Sequence, residues 1–179
     1  MKLGENARVI LGNGYSSNAY FFGSPEGTLC IDAGTDEAAF RENASDSPKI
    51  LLTHGHADHW LAAAREKLFL HEADINCFGE LNSMFGGLPT PQLEKLPRSF
   101  EWGDFSFKVI ETPGHTPGSV CFFEEKNKWL FSGDTLFAEG GVGRTDLPCG
   151  NREALEASLK LLESLDYSLL LPGHGAAEE

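Results

Sequence analysis

The sequence predicts an α/β fold in which short strands and helices alternate along one domain, residues 1–179. Apolar runs typical of strands are separated by turns rich in glycine, asparagine and serine, and helical patterns lie between them. The 20 glycines and nine prolines are typical of many tight turns between short elements. A chain of 179 residues is long enough to bury a full core, so we expect a well-packed globule.

The first half of the chain is predicted to hold five strands and three helical segments. Strand-like runs occur at residues 7–11, 18–23, 28–32, 49–52 and 67–70. Helical patterns follow the last three of these runs, at residues 37–43, at residues 58–65 and in a stretch that ends near residue 81. Residues 83–98 contain several prolines and glycines and are expected to be irregular and to fold over a site.

The second half repeats the alternation of strands and helix. Strand-like runs occur at residues 105–110, 120–124, 128–131 and 168–171. Residues 152–165 form an amphipathic helix that places Leu155, Leu159, Leu162 and Leu165 on one face. Asn151 is the expected N-cap of this helix, and Ala154 at the third helical position means that no capping box is formed.

The net charge of −13 restricts the partners of the protein. Phosphate backbones are bound mainly by lysine and arginine, and 14 basic residues here face 27 acidic ones without a basic cluster, so we expect no nucleic-acid partner. No apolar run is long enough to span a bilayer, and residues 1–6 lack the apolar stretch of a signal peptide. We expect a cytoplasmic protein without membrane contact that acts on a small molecule; the sequence does not indicate its oligomeric state.

The four cysteines show no paired spacing, so we expect reduced thiols rather than disulfides. Cys30 and Cys121 lie in apolar strand-like runs and are predicted to be buried. Cys149 lies in a turn between a proline and a glycine and is the thiol we expect to be most exposed.

A dense group of metal-ligand side chains occurs at residues 53–59, Thr-His-Gly-His-Ala-Asp-His, directly after an apolar strand-like run. In an extended loop, residues two apart point the same way, so His54 and His56 can reach one ion. Asp58 and His59 come where the chain turns toward a helical pattern, so they face elsewhere and can serve a second ion. The alternative is a polar surface loop with solvated histidines.

Three further candidates, His115, Asp134 and His174, each follow a strand-like run and lie in a turn that contains glycine. Taken singly, each is explained as an ordinary turn residue; together with residues 54–59 they indicate a shared site at one sheet edge. Seven groups, five histidines and two aspartates, suit two divalent ions with Asp134 bridging them. We expect zinc, although iron and manganese accept the same ligands.

The order and spacing of these residues resemble the metallo-β-lactamase superfamily over essentially the whole chain. The segments 112–118, 132–137, 143–146 and 171–175 resemble the glyoxalase II-like hydrolases within it. The resemblance implies an αβ/βα sandwich of two mixed β-sheets with helices on the outer faces and metals at one edge. It also implies one ion at His54, His56 and His115 and another at Asp58, His59 and His174, with Asp134 shared.

The sequence departs from some members of that superfamily. Glyoxalase II enzymes carry an additional C-terminal helical domain that supplies glutathione-binding residues, whereas this sequence ends five residues after His174, so we expect that surface to be absent. Secreted β-lactamases have a signal peptide, and several place a cysteine where Asp134 stands, so antibiotic hydrolysis is not the expected role. Nucleases of the superfamily normally need a basic surface or extra domains. Neither is evident in this sequence, so a nuclease is not the expected function.

The leading functional hypothesis is a metal-dependent hydrolase that uses a metal-bridging hydroxide on a thioester or small ester, with S-acylglutathione as the best single candidate. The first alternative is a mononuclear iron oxygenase similar to persulfide dioxygenases, using His54, His115 and Asp134. Related oxygenases tend to carry an acidic residue and tyrosine after the last ligand histidine, whereas Gly175 stands there, which favours hydrolysis. A lactonase and a non-enzymatic metal-binding protein are less favoured alternatives.

Roles around the metal ligands are also predicted. Asp58 is a candidate to orient the attacking hydroxide as well as to bind metal. Arg144 is a candidate either to contact an anionic substrate or to brace the loop near Asp134, and Tyr15 to line the mouth of the site. Other residues are candidates for weaker roles: Thr53 and Thr135 for hydrogen bonds to ligands, His71 for a structural role, and residues 84–88 for an apolar lip or core packing.

Overall fold

The computed structural model describes residues 3–178; Met1 and Lys2, which belong to the N-terminal segment considered above, and Glu179 lie outside the described residues. The strands are β1 Ala7–Ile10, β2 Ala19–Ser24, β3 Gly27–Ile31, β4 Lys49–Leu51, β5 Lys67–Leu70, β6 Gln92–Lys95, β7 Ser99–Trp102, β8 Phe105–Glu111, β9 Val120–Glu124, β10 Trp129–Gly133 and β11 Leu169–Pro172. The α-helices are α1 Glu37–Asn43, α2 Glu72–Asn76, α3 Phe78–Leu81 and α4 Arg152–Glu163. Short 3₁₀ turns occur at Ala57–His59, Leu61–Ala63 and Ala138–Gly140.

The strands form two mixed sheets. The first has the order β1-β2-β3-β4-β5-β6, antiparallel from β1 to β3 and parallel from β3 to β6. The second has the order β11-β10-β9-β8-β7, antiparallel except for the parallel pair of β10 and β11. Helices cover the outer face of each sheet. This arrangement confirms the predicted αβ/βα sandwich.

The core lies between the sheets, and the alternation of side chains along each strand builds it. In β2, Tyr20 and Phe22 enter the cluster between the sheets, while Phe21 points to the cluster under the outer helices. Phe22 packs edge-to-face on Phe107 and Phe131 of the opposite sheet, with ring centroids 5.1 and 5.5 Å apart. These contacts hold the two sheets together and align the strand ends at one edge.

Helix α4 covers the second sheet as its amphipathic pattern predicts. Leu155 and Leu162 are buried, and Asn151 caps the helix by accepting a 3.0 Å hydrogen bond from the Ala154 N–H. On the same face, the Ser158 hydroxyl donates to the Pro113 carbonyl at 2.7 Å. Helix α4 therefore also fixes the loop that follows β8.

The helix predicted at residues 58–65 is wrong, because two 3₁₀ turns stand there instead. In an α-helix the Ala62 N–H would bond to the Asp58 carbonyl, but it donates to the Gly34 carbonyl at 2.9 Å. The Asp58 and His59 carbonyls accept instead from the N–H groups of Ser17 and Ala33. Contacts with neighbouring loops replace the helical hydrogen bonds.

The segment 83–98, expected to be irregular, contains β6 at its C-terminal end, and β7 follows it. Strand β6 is the outermost strand of the first sheet, and Gln92, Glu94 and Lys95 are exposed. Such an edge strand carries little hydrophobic pattern, which is why periodicity does not predict it.

No helix within residues 3–178 combines the length and the apolar character that a membrane span requires.

Candidate metal centre

Three imidazoles from two loops meet at the ends of β4 and β8. The Nδ1 atom of His56 lies 3.0 Å from Nε2 of His54 and 2.9 Å from Nε2 of His115. All three side chains are buried, and each offers a ligand atom within 4.8 Å of the others. The structure thus brings His115 together with the pair that the loop spacing predicts.

A second trio forms beside the first from Asp58, His59 and His174. The Nε2 atom of His174, on the loop after β11, lies 3.1 Å from Oδ2 of Asp58, and Nε2 of His59 lies 3.7 Å from the same oxygen. Ligand atoms of the three residues lie within 4.8 Å of one another. His59 also lies beside the first trio, because its ring centroid is 4.1 Å from that of His54 and the two residues form a further group of ligand atoms with Asp134.

Asp134, at the end of β10, lies between the two trios. Its Oδ1 is 3.3 Å from Nε2 of His59, and its Oδ2 is 3.6 Å from Nε2 of both His115 and His174. Oδ1 of Asp134 therefore faces the second trio, and Oδ2 faces both trios. This is the placement that a shared ligand requires.

Two glycines allow the Asp134 and His174 loops to approach so closely. Gly133 adopts φ +51°, and a Cβ there would lie 2.5 Å from Thr53 Oγ1. A Cβ on Gly173 would lie 2.2 Å from Asp134 Oδ1, and the Gly173 N–H donates to the Gly133 carbonyl at 2.7 Å. The absence of side chains at these positions leaves the strand ends in direct contact.

A buried carboxylate that the sequence interpretation missed orients His59. Asp32, at the end of β3, lies 2.8 Å from His59 Nδ1 through Oδ2, and it accepts hydrogen bonds from the Thr53 N–H at 2.9 Å and the Thr53 hydroxyl at 2.8 Å. A carboxylate on the far nitrogen of an imidazole fixes the ring and its tautomer. The available signal was an aspartate that ends an apolar strand-like run.

Asp74 is a second missed carboxylate, and it ties together the loops of the first trio. It accepts from the Gly55 N–H at 2.8 Å, the Thr116 hydroxyl at 2.7 Å and the Gly118 N–H at 2.6 Å. Gly55 lies between His54 and His56, and the other two donors follow His115. The sequence carries little signal for this role, because Asp74 resembles any acidic residue in the first turn of a helix.

The predicted supporting residues contact this cluster in different ways. Thr53 Oγ1 lies 3.2 Å from His54 Nδ1, whereas Thr135 bonds to the Thr112 hydroxyl at 3.0 Å. The Arg144 carbonyl lies 2.7 Å from His115 Nδ1. His71 starts α2 and accepts from the Ala73 N–H at 3.3 Å, a structural contact.

The pKa values of the imidazoles differ between the first trio and the second. Burial lowers the pKa of His54 well below its usual range, and the neighbouring imidazoles lower it further. Burial and the adjacent His115 lower the pKa of His56 to about 4. These two imidazoles are therefore neutral at neutral pH, the state in which histidine binds a cation.

In the second trio, neighbouring carboxylates stabilise the positively charged form of His59. Burial by itself would lower the pKa of His59, but the carboxylates of Asp32, Asp134 and Asp58 outweigh burial and raise it well above its usual range. Burial likewise opposes ionisation of Asp134, yet His59 and other imidazoles lower its pKa to about 2. The carboxylates of Asp32, Asp58 and Asp134 around His59 attract a cation.

Three buried atoms of the cluster have no hydrogen-bond partner among residues 3–178: Nε2 of His56, Nε2 of His59 and Oδ1 of Asp134. Buried polar atoms normally have a hydrogen-bond partner. These three atoms have none, which makes them candidate metal-ligand atoms. The donor set of imidazoles and carboxylates fits divalent cations.

A cleft of about 470 Å³ opens above the cluster. His56, Asp58, His115, Asp134 and His174 line its floor, and Tyr15 and Arg144 lie on its walls. Both predicted substrate contacts therefore line the same cleft as the ligands. A small molecule that enters it meets the metal-ligand atoms directly.

The cysteines are free thiols. Cys30 and Cys121 are buried in the core as predicted, whereas Cys77 and Cys149 are both half-buried, so Cys149 does not stand out as the exposed thiol. None of the four lines the floor of the cleft.

Comparison with known proteins agrees with this geometry. A family model of the metallo-beta-lactamase superfamily matches residues 12–68 and 79–174. The Bacillus subtilis protein named "Probable metallo-hydrolase YqgX" is 34% identical over 180 residues, covering 89% of this chain and 85% of that protein. The hydroxyacylglutathione hydrolase GloC of Haemophilus influenzae is 36% identical over 145 residues, covering 71% of this chain and 68% of that protein.

Two crystal structures share the fold and a third of the sequence. The B3 metallo-beta-lactamase BLEG-1 has a TM-score of 0.76 at 32% identity, covering 96% of this chain and 93% of that one. TTHA1623 in a di-iron-bound form has a TM-score of 0.75 at 33% identity, with the same coverage of 96% and 93%. Because the family model spans most of the chain and runs through all seven candidate ligands, the chain belongs to the metallo-β-lactamase superfamily.

Proposed function

We propose that this protein hydrolyses thioesters or small esters with two divalent metal ions held by the seven clustered side chains. The chain belongs to a superfamily of metallo-hydrolases and carries a histidine and aspartate cluster of the type that binds divalent metals. The observation that carries the proposal is the position of Asp134, whose Oδ2 lies 3.6 Å from one histidine of each trio. A ligand in that position supports two ions side by side.

Under this proposal, His54, His56 and His115 hold one ion, and Asp58, His59 and His174 hold the other. Asp134 is shared between them. Zinc suits imidazole and carboxylate ligands, and iron and manganese suit them as well. The di-iron form of TTHA1623 shows that iron is bound in that protein, so the metal of this chain must be measured.

A bound metal pair would supply hydroxide at neutral pH by lowering the pKa of water from 15.7 to about 7, and would polarise the carbonyl of the substrate. The chain positions the reactants. Asp58 Oδ2, on the floor of the cleft, is placed to accept a hydrogen bond from the attacking group and so to orient it. A thiolate leaving group, with a free pKa of about 8.5, departs without strong protonation, so no general acid of the chain is required.

Among thioesters, S-acylglutathione is the candidate that the sequence resemblance supports. The name of the Haemophilus influenzae relative, hydroxyacylglutathione hydrolase, is consistent with it. It is therefore the reference compound against which other thioesters are compared.

The test is a hydrolysis screen of metal-reconstituted protein on thioesters, lactones, β-lactams and phosphodiesters. We expect thioester turnover that is lost in His115→Ala and kept in His71→Ala, a matched histidine outside the cluster. Activity on phosphodiesters alone would overturn the substrate class. A His56→Ala variant that loses metal but keeps a binding partner would instead indicate a non-enzymatic binding protein.

The mononuclear iron oxygenase is the second candidate, and the observation that favours it is the proximity of its three expected ligands. Ligand atoms of His54 lie within 4.8 Å of those of His115 and Asp134, and His115 Nε2 lies 3.6 Å from Asp134 Oδ2. Anaerobic metal analysis separates the two functions. Two metal ions per chain and hydrolysis without oxygen support the hydrolase, whereas a single iron with oxygen uptake supports the oxygenase.

A further inference from the structure

The cleft above the metal-ligand cluster has apolar walls. Six side chains form what we call the apolar rim: Tyr15, Met84, Phe85, Phe137, Val142 and Leu147. Tyr15, Met84 and Val142 are 53%, 62% and 47% exposed, and they are three of the five large hydrophobic side chains that are exposed among residues 3–178. Exposed apolar surface gathered at one cleft is typical of a site that binds an apolar group.

The rim is held in place by packing and backbone contacts. On one side, the Tyr15 ring lies 5.6 Å from the Phe85 ring, so the loop after β1 packs against the loop after α3. On the other side, Val142 pairs with Leu136 in an isolated β-bridge, and the Phe137 N–H donates to the Gly141 carbonyl at 2.7 Å. These contacts fix the backbone of the loops that carry the rim on both sides of the cleft.

Above the floor, the walls of the cleft offer little to an anionic substrate. Arg144 is the one lysine or arginine among its lining residues, and its guanidinium forms two hydrogen bonds with Asp146 at 2.7 and 2.6 Å. Asp58 and Asp134 on the floor are candidate ligands whose negative charge bound metal ions would offset, so the preference for one thiol over another depends on the walls. A substrate carboxylate inside the rim would lose water without gaining a free cation of the described chain.

We infer that the substrate presents an uncharged, apolar group to the rim, so that a thioester of an apolar thiol is preferred over one of glutathione. This inference rests on the proposed hydrolysis of thioesters, and it replaces S-acylglutathione with a thioester of an apolar thiol as the preferred substrate. Glutathione carries two carboxylates and one ammonium group, and the rim matches none of them. An aryl or branched alkyl group would instead contact Tyr15, Phe85 and Val142 while the acyl carbonyl lies over the floor.

The experiment compares three acetyl thioesters on metal-reconstituted protein: those of benzyl mercaptan, N-acetylcysteamine and glutathione. The acyl group is the same, so only the thiol differs. We expect kcat/KM for the benzyl thioester to exceed that for S-acetylglutathione by about tenfold or more, the range that hydrophobic pockets typically discriminate. Equal or faster turnover of S-acetylglutathione would overturn the inference.

Calorimetric binding of non-hydrolysable thioethers separates this inference from the proposed function. Tighter binding of benzyl methyl sulfide than of S-methylglutathione, with no turnover of any thioester, would overturn the proposed hydrolase and keep the preference for apolar groups. Tighter binding of S-methylglutathione would overturn the preference whether or not thioesters are hydrolysed.

Two variants test which residues carry the preference. Met84→Ser and Val142→Ser should each raise KM for the benzyl thioester about three- to tenfold and raise KM for the N-acetylcysteamine thioester by less. Leu161→Ser is the matched control, because Leu161 is 50% exposed but lies on α4, outside the rim. An equal effect of all three variants would contradict a specific role of the rim.

Asp146→Asn tests the charge argument separately. The substitution releases Arg144 from its ion pair, so turnover of S-acetylglutathione should rise about two- to fivefold, the strength of an exposed pair. The benzyl thioester should be unaffected. A fall in S-acetylglutathione turnover would mean that the pair itself recognises glutathione.

Discussion

The Asp32 carboxylate and the His59 imidazole form a fully buried hydrogen-bonded pair, with Oδ2 lying 2.8 Å from Nδ1. The pair directs Nε2 of His59 toward Asp58 and Asp134, at 3.7 and 3.3 Å. Asp32 thus orients the His59 ring of the second trio without being one of the candidate metal ligands. A carboxylate in this position also raises the basicity of the imidazole.

Asp32→Ala is therefore expected to weaken metal binding at the second trio. Loss of a carboxylate behind a ligand histidine typically costs about 10- to 100-fold in metal affinity. Chelator competition measures the affinity of each ion in the variant and the parent. Asp36→Ala is the control, since Asp36 accepts from the Ala39 N–H as the N-cap of α1 and lies outside the cluster. Equal affinities in Asp32→Ala and Asp36→Ala would contradict the role of Asp32.

Asp74→Ala should act on the first trio instead. It leaves two buried N–H groups and one hydroxyl without their acceptor, so the free energy of unfolding should fall by about 2–4 kcal/mol. Because the Gly55 and Gly118 segments lose their common anchor, affinity at His54, His56 and His115 should fall more than affinity at the second trio. Urea unfolding and chelator competition report the two effects. Thr116→Val removes one of the three hydrogen bonds to Asp74, together with the 2.8 Å contact to the Ser119 hydroxyl, and should show a smaller loss of both.

Gly173→Ala should disrupt the cluster while the rest of the fold is retained. A Cβ at this position would lie 2.2 Å from Asp134 Oδ1 and 2.8 Å from Cε1 of His59, so the carboxylate and the ring must move. We expect metal content to fall below one ion per two chains, with an unchanged far-ultraviolet circular dichroism spectrum. Gly79→Ala is the control, because a Cβ there meets no atom within 4 Å. Full metal content in Gly173→Ala would show that the strand ends tolerate separation.

The two trios should differ in how metal uptake depends on pH. The lowered pKa of His56, about 4, means that protons compete for this imidazole only as the pH falls toward 4. The pKa of His59 is raised, so in the metal-free chain this residue is protonated at neutral pH and must release its proton when a cation binds. Affinity at the second trio should therefore rise with pH by about tenfold per unit for one displaced proton.

Calorimetry in two buffers of different ionisation enthalpy checks this difference at pH 7. One binding event should release at least one proton more than the other, because the pKa of His174 in the second trio is raised as well as that of His59. Identical proton release at both events would contradict the separation of the two trios.

The candidate ligand set could be predicted from the sequence because its signals are local. His54, His56, Asp58 and His59 lie within six residues, and His115, Asp134 and His174 each end a strand in a turn with glycine. The structure brings these residues together at one sheet edge. The helix predicted at residues 58–65 is wrong because a contact distant in sequence decides the structure there. The Gly34 carbonyl accepts the hydrogen bond that the Ala62 N–H donates.

Sequence alone predicts the types and the order of the candidate metal-ligand side chains and the strand ends that present them. Both follow from short-range patterns of apolar and turn residues. The tertiary structure was needed to show that Asp32 and Asp74 hold the candidate ligands, and that Phe137, Val142 and Leu147 join the predicted apolar residues in one rim. Asp32 reaches His59 across 27 residues and Asp74 reaches Gly118 across 44. Hydrogen bonds over such separations depend on how the sheets pack, and no local pattern encodes them.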